Sequence, residues 1–436
     1  MAILMYGTLP IPREVRLNGR MAGREDLVIL LLTSIVFIMA WAVCVFKFPP
    51  TDDVVNFYNN AELIKDGLVP YRDFVFEFPP LSLPFFLIPS LFTSDLLVYS
   101  WLFGLEVVIA AIATQFFLMR ICEKVGINRG AVALIFGLLV IMYFPESLKK
   151  FDMMVMMSTA LAFYLYVSGR RTWAYAMFAV GAFIKMYPAL FIPVLMIFDL
   201  SEKGLRGIPD ILKGLLSVVV VVFVSIVPFL LMSLSLGEIF SFMEFHSERG
   251  FQVESFVAIV IQGMSLIGMT TFELVGSHWT YDVVNPICDM LQPYWMSISV
   301  ILILLVFICT FLGIRKKVSY LDGASRFRLF VASVGLILIV FLLMNKVFST
   351  QYMIWLFPIT SILSVIPGNR LSVPMSVVGI SAQFFSIFIV LNDSGTDPFI
   401  IANILRDISL ILMAAILLLY VFLDRGQLGN REVLDS

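Results

Sequence analysis

The sequence contains little charge. Only 14% of its 436 residues are Asp, Glu, Lys or Arg, whereas about a quarter of the residues of an average soluble domain are charged. Hydrophobic residues make up 60% of the chain, and phenylalanine alone occurs 41 times. The mean hydropathy is +0.99. This composition excludes a water-soluble globular protein and indicates an integral membrane protein.

The sequence also lacks residues for a disulfide framework or a zinc site. Its four cysteines, Cys44, Cys122, Cys288 and Cys309, are widely spaced, and only two histidines are present. No Cys-x-x-Cys pair or Cys/His cluster occurs, so we expect neither a structural disulfide nor a bound zinc ion.

A cleavable signal peptide is not expected. The first apolar run begins near Leu27, after a basic stretch, and no small-residue cleavage site follows it. Residues 27–48 are long enough to span a bilayer and are predicted to form the first transmembrane helix.

Apolar runs predict an all-α, polytopic bundle with about 12 spans, within a range of roughly 10–13. Lysine and arginine collect in segments that such a layout places on one side, which should be cytoplasmic. We expect one integral-membrane domain over 1–436, with residues 1–26 and the tail 424–436 in the cytoplasm. The predicted spans are 27–48, 95–119, 131–144, 153–168, 172–186, 187–200, 214–235, 295–314, 329–344, 352–366, 373–391 and 399–423.

Two further apolar stretches, 79–92 and 256–275, would invert the layout downstream if they crossed fully. We therefore expect interfacial or re-entrant helices there, lining a cavity on the outer face. Within the first outer loop, 49–94, apolar residues recur at helical spacing over 54–66, which predicts a surface helix ended by Gly67.

Two adjacent carboxylates, Asp52 and Asp53, follow the first predicted span. One of them could simply cap the helix over 54–66, because Asp is a preferred N-cap residue. That interpretation does not explain both. Paired carboxylates at the mouth of a cavity also suit a general base or a metal ligand.

Further polar residues fall in the predicted outer segments. Each has a structural interpretation: a loop ion pair, a snorkelling lysine or a solvated loop. Each also has a functional one, because isolated charge among apolar runs is unfavourable unless it is paired or faces water. The candidates are Arg72, Asp73, Glu77, Lys185, His246, Arg249, Gln252, Glu254 and Lys346.

Carboxylates and cations thus collect on one predicted face. Cations suit a phosphate group, a carboxylate suits removal of a hydroxyl proton, and grooves between helices suit a lipid tail. These needs coincide in a glycosyltransferase that uses a polyprenyl-phosphate sugar. A transporter or flippase of sugars or lipid-linked sugars is the alternative, although no internal repeat is found. A non-catalytic structural partner is a third interpretation.

The order of several motifs resembles the C-type glycosyltransferases, most closely family 87, over about residues 27–360. The motifs are Asp53 with Tyr58, Gly67-x-x-Pro70-Tyr71-Arg72-Asp73-Phe74, Glu77-Phe78-Pro79-Pro80, Lys185-x-Tyr187-Pro188, Arg249-Gly250-Phe251-Gln252-Val253-Glu254-Ser255 and Asn345-Lys346-Val347-Phe348-Ser349-x-Gln351-Tyr352-x-x-Trp355.

The resemblance implies inverting transfer of a mannose-like sugar on the extracytoplasmic face of a cell membrane. Its donor would be a polyprenyl- or dolichyl-phosphate sugar, and its acceptor a lipid, glycan or protein, as in the synthesis of cell-envelope glycans. The resemblance places the base at Asp53, with Asp52 as its neighbour. The residues that match the other motifs, Tyr58, Tyr187, Gln351 and Tyr352 among them, would bind substrate. Neither a cofactor nor a metal is implied, and no nucleic acid is expected as a partner.

Overall fold

The computed structural model describes residues 24–144, 146–247, 249–277, 280–319, 321–365 and 372–422. Helices dominate these residues, as predicted. The predictions for the cytoplasmic termini fall largely on residues 1–23 and 423–436, which lie outside the described part of the chain.

All of the regular secondary structure in the first half of the described chain is helical. Its α-helices are α1 (Arg24–Lys47), α2 (Asp52–Lys65), α3 (Leu83–Ser90), α4 (Leu96–Val125), α5 (Arg129–Met142), α6 (Asp152–Val167), α7 (Arg171–Ile184), α8 (Phe191–Lys203) and α9 (Ile208–Leu231). Short 3₁₀ helices occupy Pro80–Ser82, Glu146–Leu148, Tyr187–Leu190 and Gly204–Gly207.

The second half adds eight helices and one hairpin among the described residues. The helices are α10 (Leu236–Ile239), α11 (Ser241–Ser247), α12 (Phe256–Leu266), α13 (Pro286–Lys317), α14 (Gly323–Met344), α15 (Phe357–Leu363), α16 (Ser372–Val390) and α17 (Asp397–Phe422). A 3₁₀ helix, Thr350–Leu356, precedes α15, and the strands are β1 (Glu273–Ser277) and β2 (Thr280–Val284).

Six helical stretches of the described chain are long and apolar enough to cross a membrane. They are Leu27–Lys47, Leu96–Val125, Tyr187–Leu231, Pro286–Lys317, Gly323–Met344 and Asp397–Phe422. Shorter apolar helices occupy Pro80–Ser90, Arg129–Met142, Asp152–Val167, Phe256–Leu266 and Ser376–Val390. The chain is therefore a multi-pass membrane protein. Within the described residues, each predicted span falls mostly on helical structure, while the count of about 12 crossings and their orientation stay predictions.

The long helices differ strongly in the share of their apolar residues that is buried inside the protein. In α14, 72% of the apolar window is buried inside the protein, against 11% in α1. Helix α14 packs on α13 and α17 and forms the centre of the bundle, whereas α1 leaves most of its apolar surface for lipid.

The β-hairpin corrects the all-α prediction. β1 and β2 pair antiparallel, with Glu273 opposite Val284 and Leu274 opposite Val283. Of the predicted re-entrant stretch 256–275, only α12 is helical. An isolated bridge joins Gln252 to Asp282, so the hairpin anchors the segment before α12. The alternation of β-favouring residues over 273–284 is the signal that could have revealed it.

The helix predicted over 54–66 is confirmed as α2. Gly67 adopts a positive φ of 88° just beyond the helix, a conformation that glycine reaches without steric strain. The N-cap position belongs to Thr51, so the capping role considered for Asp52 or Asp53 is wrong. Both carboxylates occupy the first turn of α2, where the helix dipole favours negative charge.

Candidate active site

Asp53 is held by a lysine from a distant part of the chain. Lys150 Nζ lies 2.8 Å from Asp53 Oδ2 and 3.4 Å from a carboxylate oxygen of Glu146. The lysine side chain is 16% exposed and that of Asp53 is 38% exposed. The loop between α5 and α6 thus supplies the cation, while the side chain of Asp53 stays partly exposed.

The charges around Asp53 keep it ionised. Burial alone would raise the pKa of Asp53, but the charge and hydrogen bond of Lys150, helped by Lys185, hold the pKa below its usual value. Conversely, burial opposes the charge of Lys150, yet the carboxylates of Asp53 and Glu146 raise the pKa of Lys150. At neutral pH the two groups therefore form an ion pair with an available carboxylate oxygen.

Glu77 lies near this pair and carries the opposite pKa shift. Burial, and then the charge of Asp53, raise the pKa of Glu77. Arg249 and a 2.7 Å hydrogen bond donated by Asn56 to Glu77 Oε1 partly offset this. Asn56 stands three residues after Asp53 and so lies on the same face of α2. Two carboxyl groups of different acidity therefore share one side of this helix.

Arg249 is buried with only 7% of its surface exposed. Its charge acts on Glu77 and on Tyr352. Within the described ranges, Arg249 Nε has no hydrogen-bond acceptor. A guanidinium held in this way can still donate to an anionic ligand.

Lys185, which the sequence places alone between apolar runs, has a buried partner. Its Nζ lies 2.7 Å from Oδ1 of Asp152, the first residue of α6. The same oxygen accepts a 2.5 Å hydrogen bond from Trp355 Nε1. Asp152 is 1% exposed. Its contacts with Lys185 and Trp355 therefore connect three distant segments of the chain inside the protein.

Three aromatic rings line up beside this lysine. Trp355 stacks on Tyr187 with centroids 4.0 Å apart and on Tyr352 with centroids 4.3 Å apart. Lys185 Nζ sits 4.8 Å from the Tyr352 centroid, within the range of a cation–π interaction. The two predicted motifs around Lys185 and Tyr352 are thus brought together by direct contact.

Glu254 is hydrogen-bonded to Thr350, the first residue of the 3₁₀ helix that precedes α15. Its Oε2 accepts hydrogen bonds from Thr350 N at 2.5 Å and Thr350 Oγ1 at 2.6 Å. Burial raises the pKa of Glu254, against the opposing charges of Arg406 and Lys150 and the Thr350 bonds. The Glu254 carboxyl group is therefore near Lys150, although it does not share its ion pair.

A polar cavity of about 270 Å³ opens between these groups. We call it the polar cavity. Polar side chains from the loop before α6, from the segment after α14 and from the α16–α17 loop form most of its wall. Its lining is Glu146, Lys150, Glu254, Ser349, Thr350, Gln351, Ile389, Val390, Asn392, Ser394 and Phe399.

Several predicted residues lie in other surroundings. Tyr58 donates a 2.8 Å hydrogen bond to Ser94 O, and Arg72 and Asp73 pair with each other at 3.0 Å on the surface. Arg72 and Asp73 line a separate open pocket with Glu244 and neighbouring aromatics. Their contacts fit the structural interpretation of a loop held in place.

Two more predicted residues, Gln252 and Lys346, lie beside the β-hairpin. Gln252 donates its backbone N–H to Lys346 O at 3.0 Å and is 3% exposed. The Asp282 carboxylate partly offsets the burial that lowers the pKa of Lys346. Asp52 is exposed. The side chain of His246 lies outside the described residues.

Sequence reasoning missed the importance of three residues. Lys150 and Asp152 were not among the predicted site residues, yet they are the partners of Asp53 and Lys185. Arg406, in the middle of α17, is fully buried, donates to Glu254 O at 2.7 Å and lies 4.0 Å from the Phe348 ring centroid. Its charge inside an apolar run was the available signal.

The described residues contain no group of three or more His, Cys, Asp or Glu side chains placed to hold a metal ion. The side chains that do converge are several ion-paired carboxylates, further carboxyl groups and several cations. Such a set can remove a proton from a neutral hydroxyl and stabilise an anion.

A family model described as Glycosyltransferase family 87 matches residues 76–344, which is more than half of the chain. No curated protein matches the sequence. The matched range includes Glu77, Lys150, Lys185 and the 249–254 segment. Asp53 precedes it, and the 3₁₀ helix with Tyr352 follows it.

Proposed function

The chain belongs to glycosyltransferase family 87, and from this premise we propose that it is an inverting membrane glycosyltransferase whose donor is a polyprenyl-phosphate sugar. A mannose-like sugar is the proposed donor group, and transfer takes place on the extracytoplasmic face. The acceptor is a lipid, a glycan or a protein that offers a free hydroxyl.

In the proposed step, Asp53 accepts the proton of the acceptor hydroxyl. The hydroxyl oxygen attacks the anomeric carbon and forms the new glycosidic bond, while the bond from that carbon to the phosphate oxygen breaks. Polyprenyl phosphate leaves with the bonding electron pair, and attack from the opposite side inverts the configuration. Protonated Asp53 then loses its proton to water.

Arg249 and Lys185 are the proposed partners of the leaving phosphate. Arg249 is buried and has a donor nitrogen without an acceptor among the described residues. Lys185 is oriented by Asp152 but remains 17% exposed. Preorganised cations of this kind stabilise the charge that develops on a departing phosphate.

The observation that carries the proposal is the ion pair of Asp53 with Lys150. It keeps an accessible carboxylate unprotonated at neutral pH, which is the form that a general base requires. Glu77 is less suited as the resting base, because burial and the charge of Asp53 raise its pKa.

The test compares Asp53→Asn with Asp52→Asn. Both substitutions remove one carboxylate from the first turn of α2, and only Asp53 pairs with Lys150. Purified proteins are incubated with a panel of polyprenyl-phosphate sugars and acceptors, and released polyprenyl phosphate is quantified. Loss of general-base catalysis should lower turnover by about 10²–10⁴-fold in Asp53→Asn, while Asp52→Asn should retain turnover close to wild type.

Thermal unfolding of both variants serves as the folding control, since the amide oxygen introduced by Asp53→Asn can still accept a hydrogen bond from Lys150. Wild-type turnover in a folded Asp53→Asn protein would exclude the proposed base. A wild-type protein that releases no polyprenyl phosphate from any donor would contradict the donor class. NMR of the product's anomeric centre tests inversion.

A further inference from the structure

The size of the polar cavity limits what it can hold. Its volume of about 270 Å³ lies just below the range of about 300–1,000 Å³ typical of sites for drug-sized ligands. The cavity is therefore suited to one ring-sized group. An extended polyprenyl tail needs a long apolar groove, which this short polar recess does not provide.

The charge of the wall disfavours a phosphate. The single cation, among the described lining residues, is Lys150, and the wall also contains the carboxyl groups of Glu146 and Glu254. Even if Glu254 were protonated, the carboxylate of Glu146 would balance the lysine. The wall thus lacks the net positive charge with which proteins bind phosphate groups.

The remaining lining suits neutral hydroxyl groups. Ser349, Thr350, Gln351, Asn392 and Ser394 supply hydroxyl and amide groups, which both donate and accept hydrogen bonds. Gln351 Oε1 is buried and has no hydrogen-bond donor within the described part of the chain. An incoming hydroxyl would satisfy it.

The polar cavity is also connected to the proposed base. Lys150 forms part of its wall and at the same time contacts Asp53 Oδ2 at 2.8 Å. A general base must lie within hydrogen-bond reach of the proton that it removes. A ring held in the cavity therefore lies against Lys150, the same residue that contacts Asp53.

We propose that the polar cavity is the subsite for a single sugar ring of the acceptor, so that the acceptor is a glycan or glycolipid. This inference rests on the proposed function. It assigns the wall formed by Asn392 and Ser394, beyond the family-matched range, to acceptor recognition. The donor phosphate and its lipid bind elsewhere.

The experiment narrows the cavity at the wall most distant in sequence from the base, with Asn392→Leu and Ser394→Leu. Asp393→Leu is the matched control, because Asp393 lies between them, is exposed and is not part of the lining. Polyprenyl-phosphate mannose is the donor probe, and a panel of octyl glycosides serves as soluble acceptors. Thermal unfolding in the same detergent checks that all three variants fold.

The two cavity variants should raise the acceptor KM by about tenfold with little change in kcat, as expected when a hydrogen bond common to ground and transition states is lost. The donor KM, and the slow release of polyprenyl phosphate to water without acceptor, should stay at wild-type values. Asp393→Leu should behave as wild type throughout.

Three results would overturn the subsite while the proposed function stands. The first is an unchanged acceptor KM in both cavity variants. The second is an increase in donor KM instead, which would assign the cavity to the donor sugar. The third is a wild-type protein that releases polyprenyl phosphate to water but glycosylates no octyl glycoside. Absence of release from any polyprenyl-phosphate donor would instead contradict the proposed function itself.

Discussion

Replacing Lys185 by methionine should destabilise the protein far more than a surface substitution would. The change removes the cation that lies 2.7 Å from Asp152 and leaves that carboxylate, 2% exposed at its side chain, with the Trp355 N–H as a partner. Breaking a buried ion pair by removing one partner costs about 3–5 kcal/mol. Asp152→Asn should cost about 3 kcal/mol, at the lower end of that range, because Lys185 is 17% exposed.

The double variant Lys185→Met with Asp152→Asn separates the pair from its surroundings. Both charges are then absent, and the amide oxygen introduced by Asp152→Asn can still accept the hydrogen bond from Trp355. Replacing a buried pair by neutral groups of similar volume is often close to neutral, so the double variant should recover most of the stability. The double variant should therefore cost much less than the sum of the two single variants, and the difference is the coupling energy of the pair.

Reversible unfolding by SDS in mixed micelles measures these free energies for the wild type and the three variants. If the two single costs simply add in the double variant, the pair contributes nothing through its interaction and the reasoning is refuted. Turnover provides the second measurement. If Lys185 also meets the leaving phosphate, the double variant should remain about 10²–10³-fold slow despite its restored stability.

Two further predictions follow from the site and from its packing. Lys150→Met should move the acid limb of the kcat/KM profile to higher pH, because Lys150 lowers the pKa of Asp53 and burial raises it; an unmoved limb would show that Asp53 is not the titrating base. Gly181→Ala should cost about 1–3 kcal/mol of stability, because the added Cβ would lie 2.5 Å from Ser158 Oγ. Gly237→Ala, whose Cβ would meet only Ser235 Oγ at 3.9 Å, is its control, and equal thermal stability of the two variants would contradict the packing argument.

Hydropathy alone predicted most of the helical layout, because a membrane requires long apolar segments with internally satisfied backbones. The boundaries of α2 and its termination at Gly67 were also predictable from periodicity and turn chemistry. The hairpin escaped prediction, since its strands are five residues each and come shortly after an apolar helix. Short apolar runs do not separate helix from strand.

For the site, sequence reasoning identified isolated charges but not their partners. Lys185 and Asp53 were recognisable as unusual, whereas their partners Asp152 and Lys150 were not identified. The pairs span 33 and 97 residues, and contacts at such separations depend on tertiary packing that local patterns do not encode. Arg406 shows the same limit, because its contact with Glu254 crosses 152 residues.

The ion pair between Asp53 and Lys150 determines when net positive charge appears at the site during the proposed reaction. While Asp53 is ionised, its charge and that of Lys150 cancel. Once Asp53 has taken the acceptor's proton, the lysine is left with Glu146 at 3.4 Å, and the local charge becomes more positive by one unit. That unit appears in the same step as the departing phosphate anion, so the proton transfer itself supplies the attraction that the anion meets.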